Sequence, residues 1–358
     1  MKLFTLGPVE IYPETISVYQ QGFPHFRTEE YGNLVKRNLA RIASLVGTKH
    51  QNNIIYFTAS GTAAMEATIE NCFDKHDRLL IINGGCFGQR FCMMSEFHGI
   101  PYDSVNLRWD EVLTSEHLAS FAGKKYSALL VNLHETFTGQ LYDIKLIKEF
   151  CRSNNMLLVV DAIGAFLADD YDMDSNGIDL TIFSSQKGLS CSPGLSFVVL
   201  SERMLRRVEE RARAASFYFD FKDYLLSIPR GQTPYTPALR IMYEIDKILD
   251  LIDQGGGKQA WLTRIQEKAE YFRKRAVEYG FSLPSYPFSN MLTPVCFDDV
   301  SAHDLCVYLS THYQIYVNPC GGELANKMFR VAHIGNTNLM DIDHLFEKLN
   351  LALTALRK

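Results

Sequence analysis

The stretch Leu157-Leu158-Val159-Val160-Asp161-Ala162 is four consecutive apolar residues closed by an acid. A run this short and this apolar shows neither a helical stripe nor strict alternation. It fits a strand buried on both faces, as in a parallel sheet covered by helices. An acid at the end of such a strand stands where open α/β sheets bind ligands, outside the carboxyl ends of the strands. An Asp in that place also caps an ordinary turn. Six similar runs surround it, at 54–58, 78–83, 102–106, 128–133, 180–184 and 195–200. Amphipathic spans at 62–73, 87–97 and 144–153 separate several of them. This alternation predicts an α/β fold, a large domain with a mostly parallel seven-stranded sheet sandwiched by helices. The run 195–200 follows its predecessor after a short loop, so one strand is expected to run antiparallel.

Near residue 236 the pattern changes. A long helix is expected over 237–253, ended by Gly255-Gly256-Gly257, and a second over 259–279. Beyond Pro284 and Pro287 come short strands at 293–297, 315–317 and 328–332, interleaved with helices at 302–311 and 339–356. The expected division is a large domain over 1–253 and a small α+β domain over 254–358.

Composition narrows the function classes. The 358 residues are 47% hydrophobic and 22% charged, ordinary for a globular chain. Lys and Arg number 36 against 41 Asp and Glu, a formal net charge of −5, so no basic excess favours nucleic acid. The longest apolar runs fall well short of the ~20 residues of a membrane span. The opening MKLFTLGPVE does not read as a secretory leader. Eight cysteines form no C-x-x-C and ten histidines form no H-E-x-x-H, so no metal site is expected. The expected location is the reducing cytoplasm.

Two more segments carry chemistry. Thr58-Ala59-Ser60-Gly61-Thr62-Ala63-Ala64-Met65-Glu66-Ala67 reads as a strand end, a small-residue turn and a helix start. The free N–H groups of such a start, beside Ser and Thr hydroxyls, suit a phosphate; a helix capped by Ser without any ligand reads the same way. Phe183-Ser184-Ser185-Gln186-Lys187-Gly188 is again a strand running into a polar turn, with Lys187 26 residues after Asp161. A lone Lys is usually a solvated surface group. One hemmed in by Ser, Gln and Gly after a buried strand suits Schiff-base chemistry once its pKa falls. An anion site, a lysine and a carboxylate together fit one cofactor, pyridoxal 5′-phosphate.

Taken as a whole the chain resembles the class V aminotransferases of the fold-type I pyridoxal-phosphate enzymes, the alanine–glyoxylate, serine–pyruvate and 2-aminoethylphosphonate–pyruvate group. The resemblance runs from Leu6-Gly7-Pro8-Val9 through His25-Phe26-Arg27, the Ser60–Ala67 stretch, Asn83-Gly84-Gly85-Cys86-Phe87-Gly88-Gln89-Arg90 and His134-Glu135-Thr136-Phe137-Thr138-Gly139. It continues through Asp161-Ala162-Ile163, Ser185-Gln186-Lys187, Gln232-Thr233-Pro234-Tyr235-Thr236-Pro237 and Phe329-Arg330-Val331-Ala332-His333-Ile334-Gly335. It implies that Lys187 holds the cofactor as an internal aldimine and shuttles a proton, while Asp161 faces the pyridine nitrogen. It implies that Phe87 and Ile163 flank the ring and that Thr136 bonds near the ring hydroxyl. Ser60, Gly61, Thr62 and Gln186 would hold the phosphate, and Thr236 would reach it from the partner subunit of a homodimer with shared sites. Arg330 would bind the substrate carboxylate as a planar fork. Relatives usually carry a small hydroxyl residue where this chain has Phe137, and the stretch Gly188–Gly194 is variable; both bear on substrate preference. Cys191 has no His nearby in sequence and is not read as a nucleophile.

The expected activity is a ping-pong transamination from a small amino donor to pyruvate or glyoxylate. Similarity leans toward 2-aminoethylphosphonate as donor, with alanine, serine or aspartate as the alternatives. A pyridoxal-phosphate-fold protein that binds without catalysis is the non-enzyme rival. A nicotinamide oxidoreductase lacks its G-x-G-x-x-G.

Overall fold

The computed structural model describes residues 1–357. Its centre is a sheet of seven strands: β1 (Ile54–Phe57), β2 (Leu79–Asn83), β3 (Tyr102–Asn106), β4 (Ala128–Asn132), β5 (Leu157–Asp161), β6 (Leu180–Ser184) and β7 (Ser196–Leu200). Their spatial order is β1-β7-β6-β5-β4-β2-β3. The seven sequence runs all lie in this sheet, with ends shifted by a residue or so. Parallel pairing joins β6, β5, β4, β2 and β3. β7 alone is reversed, antiparallel to both β6 and β1. The connection 185–195 is too short for a crossover, so the chain folds straight back.

β1, β4, β5, β6 and β7 are buried along their whole length. Alternate residues feed two cores. Tyr56, Ile82, Leu129, Val131, Leu158, Val160 and Phe183 face one layer of helices. Ile55, Phe57, Ile81, Leu130, Val159 and Ile182 face the other. The layers include α1 (Glu29–Val46), α2 (Gly61–Cys72), α3 (Cys86–Phe97), α4 (Ile144–Ser153) and α5 (Leu239–Gln254). α1 was not foreseen from the sequence. Thr28 caps it by accepting from Tyr31 N at 3.4 Å, Glu29 and Glu30 sit in its first turn, and Gly47 ends it at φ +80°. It packs on α5, where Asn38 Nδ2 donates to Met242 O at 3.0 Å.

After α6 (Gly257–Glu278) a three-stranded antiparallel sheet forms from β8 (Leu292–Cys296), β9 (Asn318–Pro319) and β10 (Met328–Ala332), in the order β8-β10-β9. With α7 (Ala302–Tyr313) and α8 (Leu339–Leu356) it encloses its own core, including Phe272, Leu305, Phe329, Val331 and Phe346. The expected strand at 315–317 lies elsewhere. Ile315–Tyr316 pairs in parallel with Lys2–Leu3, so the start of the chain is tied to its last third. No helix among the described residues is long and apolar enough to cross a membrane.

Candidate active site

The parallel strands point their carboxyl ends to one edge of the sheet, and the chemistry of the sequence gathers there. A cavity of about 200 Å³ is lined by Ser60, Gly61 and Thr62 after β1, Phe87 after β2, Thr136 after β4, Asp161 and Ile163 at the end of β5, and Gln186 and Lys187 after β6. These are nine of the eleven residues singled out in the sequence. Arg330 and Thr236 do not line it.

One end of the cavity is an anion cup. Ser60 is the N-cap of α2, yet its side chain makes no capping bond, so the first N–H groups of that helix are left to another acceptor. Ser184 Oγ, also on the cavity wall, is buried with no partner. Thr62 Oγ1 accepts from Arg90 Nη1 at 2.8 Å, which brings a guanidinium to the same place. Ile163 presses on the helix start so closely that a Cβ at Gly61 would meet its Cδ1 at 2.3 Å. An anion of phosphate size fits these donors.

Asp161 is fully buried. Its Oδ2 accepts from Asn132 Nδ2 at 2.9 Å and its Oδ1 from Ile163 N at 2.9 Å. Burial pushes its pKa up to about 6, against the pull of those bonds and of Lys187. A carboxylate held this way gains from a cationic N–H placed before it. Lys187 is drawn down to about 8, first by burial and then by the charge of Arg330. The loop that carries it is fixed by Ser190 N to Lys187 O at 2.8 Å and Cys191 N to Ser185 O at 2.9 Å. Gly7 closes over the lysine at φ +140°; a Cβ there would sit 2.8 Å from Lys187 Cδ.

Phe87 lies in the first turn of α3, with the Arg90 guanidinium carbon 4.6 Å from its ring centroid. Gly85, the N-cap of α3, has no side chain to cap with. The carboxyl of Glu135 is packed there instead, 2.4 Å from where a Gly85 Cβ would be, and it accepts from Phe137 N at 3.2 Å. Burial raises Glu135 to about 7. His134 is buried with both ring nitrogens unpartnered, and burial drives its pKa down to about 3. Arg330 on β10 donates to Thr136 O at 2.8 Å and Pro319 O at 2.6 Å. Its guanidinium is thereby hydrogen-bonded to a residue of the cavity wall. Thr236 is exposed, on a segment tied back by Ala238 N to Thr58 Oγ1 at 2.7 Å.

Four cavity residues were not singled out as cofactor ligands from the sequence: Gly7, Arg90, Asn132 and Ser184. Asn132 and Ser184 end buried strands, as Asp161 does, and that position was the available signal.

The sequence profile of the family described as Aminotransferase class-V matches residues 20–338. An uncharacterized aminotransferase of Helicobacter pylori is 28% identical over 365 residues, 99% of this chain and 95% of that protein. The L-aspartate–glyoxylate aminotransferase of Paracoccus denitrificans is 25% identical over 347 residues, 93% of this chain and 86% of that protein. Among solved structures, an alanine–glyoxylate aminotransferase from Nostoc sp. superposes with a TM-score of 0.91 at 28% identity, covering 99% of this chain and 96% of that one.

Proposed function

The chain belongs to the class V aminotransferases, and from that premise we propose that it transfers the amino group of a small 2-amino acid to glyoxylate or pyruvate at the cavity between Asp161 and Lys187. The observation that carries this reading is one edge of one sheet holding a lysine with a depressed pKa, a buried carboxylate and an uncapped helix start around a single cavity. Pyridoxal phosphate, the cofactor of the family, supplies an aldehyde and an electron-accepting pyridine ring when bound.

The side chains divide the work. Ser60, Gly61, Thr62 and Gln186 bind the phosphate at the start of α2. Asp161 holds the proton on the ring nitrogen, and Asn132 fixes its orientation. Phe87 and Ile163 confine the ring between them. Thr136, on the cavity wall, would bond the ring hydroxyl. Lys187 Nζ is the attachment point and, once free, moves a proton to or from the donor's Cα; such proton transfer is worth roughly 10²–10⁴-fold. Arg330 takes the substrate carboxylate with the edge of its guanidinium, which two carbonyl oxygens hold in place.

The relatives above are named for amino acid donors, which favours an amino acid over 2-aminoethylphosphonate here. Thr236 and the homodimer belong to the same proposal, as do the division near 253/254 and a cytoplasmic location, which eight free cysteines support.

The test is Lys187→Ala in the cofactor-loaded protein. Turnover of alanine or aspartate with glyoxylate falls by about 10⁴ or more, and the covalently bound cofactor's absorbance is lost. Transamination at the wild-type rate in this variant overturns the assignment.

A further inference from the structure

A larger cavity, of about 770 Å³, is lined in part by the chain neighbours of residues that line the first. Its wall includes Gly85 and Cys86, next in the chain to Phe87, and Phe137, next to Thr136. The ring of Phe137 is centred 6.0 Å from the Arg330 guanidinium carbon, so the cavity lies beside the group assigned to the substrate carboxylate. One side of it is a triad of amides. Asn83 Nδ2 donates to Gln89 Oε1 and to Asn106 Oδ1, both at 2.9 Å. Both hydrogens of Asn83 are thereby spent, and the bonds turn the other two amides so that their NH₂ groups are left to donate.

The charges on the wall are unequal. Arg108 is held by Asp110 through Nε at 3.1 Å and Nη2 at 2.8 Å. Glu323 faces the same cavity, exposed, with no basic partner among the described residues. Trp109 and Phe137 supply flat apolar faces. The wall therefore offers N–H donors and one carboxylate, with its only cation already neutralised.

We infer that this cavity receives the far end of the amino donor and selects a side chain ending in a carboxamide over the isosteric carboxylate. A carboxamide oxygen accepts from Gln89 and Asn106, and its NH₂ donates to Glu323. A carboxylate keeps the first contact, loses the second and meets a like charge. Phe137 forms the flat face along which such a side chain lies. The inference rests on the proposed aminotransferase activity.

Two isosteric pairs, asparagine against aspartate and glutamine against glutamate, test it, with alanine as the donor that has no far end. Each is assayed with glyoxylate and the cofactor-loaded enzyme. In at least one pair the amide has a kcat/KM about tenfold higher, expressed mainly in KM. Glu323→Gln, an exposed change outside the catalytic groups, raises kcat/KM for the acid of that pair by about the same factor and leaves alanine unchanged. Equal rates within twofold in both pairs, a preference for the acids, or a ratio that Glu323→Gln does not move overturns the inference. With alanine still turned over, that result leaves the proposed activity standing. If no donor alters the bound cofactor's spectrum, the proposed activity fails and this inference falls with it.

Discussion

Lys187 owes its proposed chemistry to the turn that follows β6. In water its amine titrates near 10.5; here burial, aided by Arg330, brings it down to about 8. Between those values the folded protein binds fewer protons than the unfolded chain. The cost of burying the ammonium is thus fully present below about pH 8 and is relieved as pH rises toward 10.5. Only the neutral amine attacks an aldehyde. Attachment of pyridoxal phosphate to the cofactor-free protein is therefore expected to quicken about tenfold per pH unit up to roughly pH 8 and then level off. Stopped-flow absorbance checks this; a midpoint near 10.5 would mean a solvated lysine. Asp161 was legible in the sequence because it closes a buried apolar run, and Lys187 because it stands in the polar turn that follows another. Asn132 was not, since its importance lies in pairing across the sheet with Asp161, a register that only folding creates.

Among elements, the central strands announced themselves by apolar runs and α4 by its amphipathic stripe. α1 carries an equally regular pattern, Tyr31, Leu34, Val35, Asn38, Leu39 and Ile42, behind a Thr cap, but it precedes the first strand and so stands outside the strand–helix alternation. The tie between the β5–β6 connection and the segment leading into β8 had no local signal at all. Asp169 is buried, accepting from Ser289 Oγ at 2.5 Å and Asn290 N at 2.7 Å, and burial raises it to about 6. Asp169→Ala strands both donors and is expected to cost about 1–3 kcal/mol of stability. Thermal unfolding measures it; an unchanged midpoint would show that the tie contributes nothing.

For the whole molecule, Thr236 bears on the proposal that two chains share one active site. It is exposed and outside its own cavity, on a segment whose carbonyls at 233 and 234 are clamped by Arg27. The arrangement suits a loop held out for a second subunit. Thr236→Ala is expected to weaken cofactor retention about three- to tenfold, the worth of roughly one hydrogen bond. Subunit mixing supplies the sharper measurement. Lys187→Ala and Thr236→Ala chains, refolded together, regain one complete site per mixed dimer. Tight retention in a Thr236→Ala homodimer, or no gain on mixing, rules out the shared site.

The sequence by itself determined the alternating α/β order, the seven strands and the two polar groups, one closing a strand and one in the turn after another, on which the proposed chemistry turns, because these depend on local apolar patterning and on which residues follow it. It could not say which distant residues would share a wall. Gly7 against Lys187, Glu135 at the start of α3, Arg330 bonded to Thr136 and the amide-lined cavity beside it are contacts between segments far apart in the chain. Their energies come from burial and charge pairing in three dimensions, so only the tertiary structure decided them.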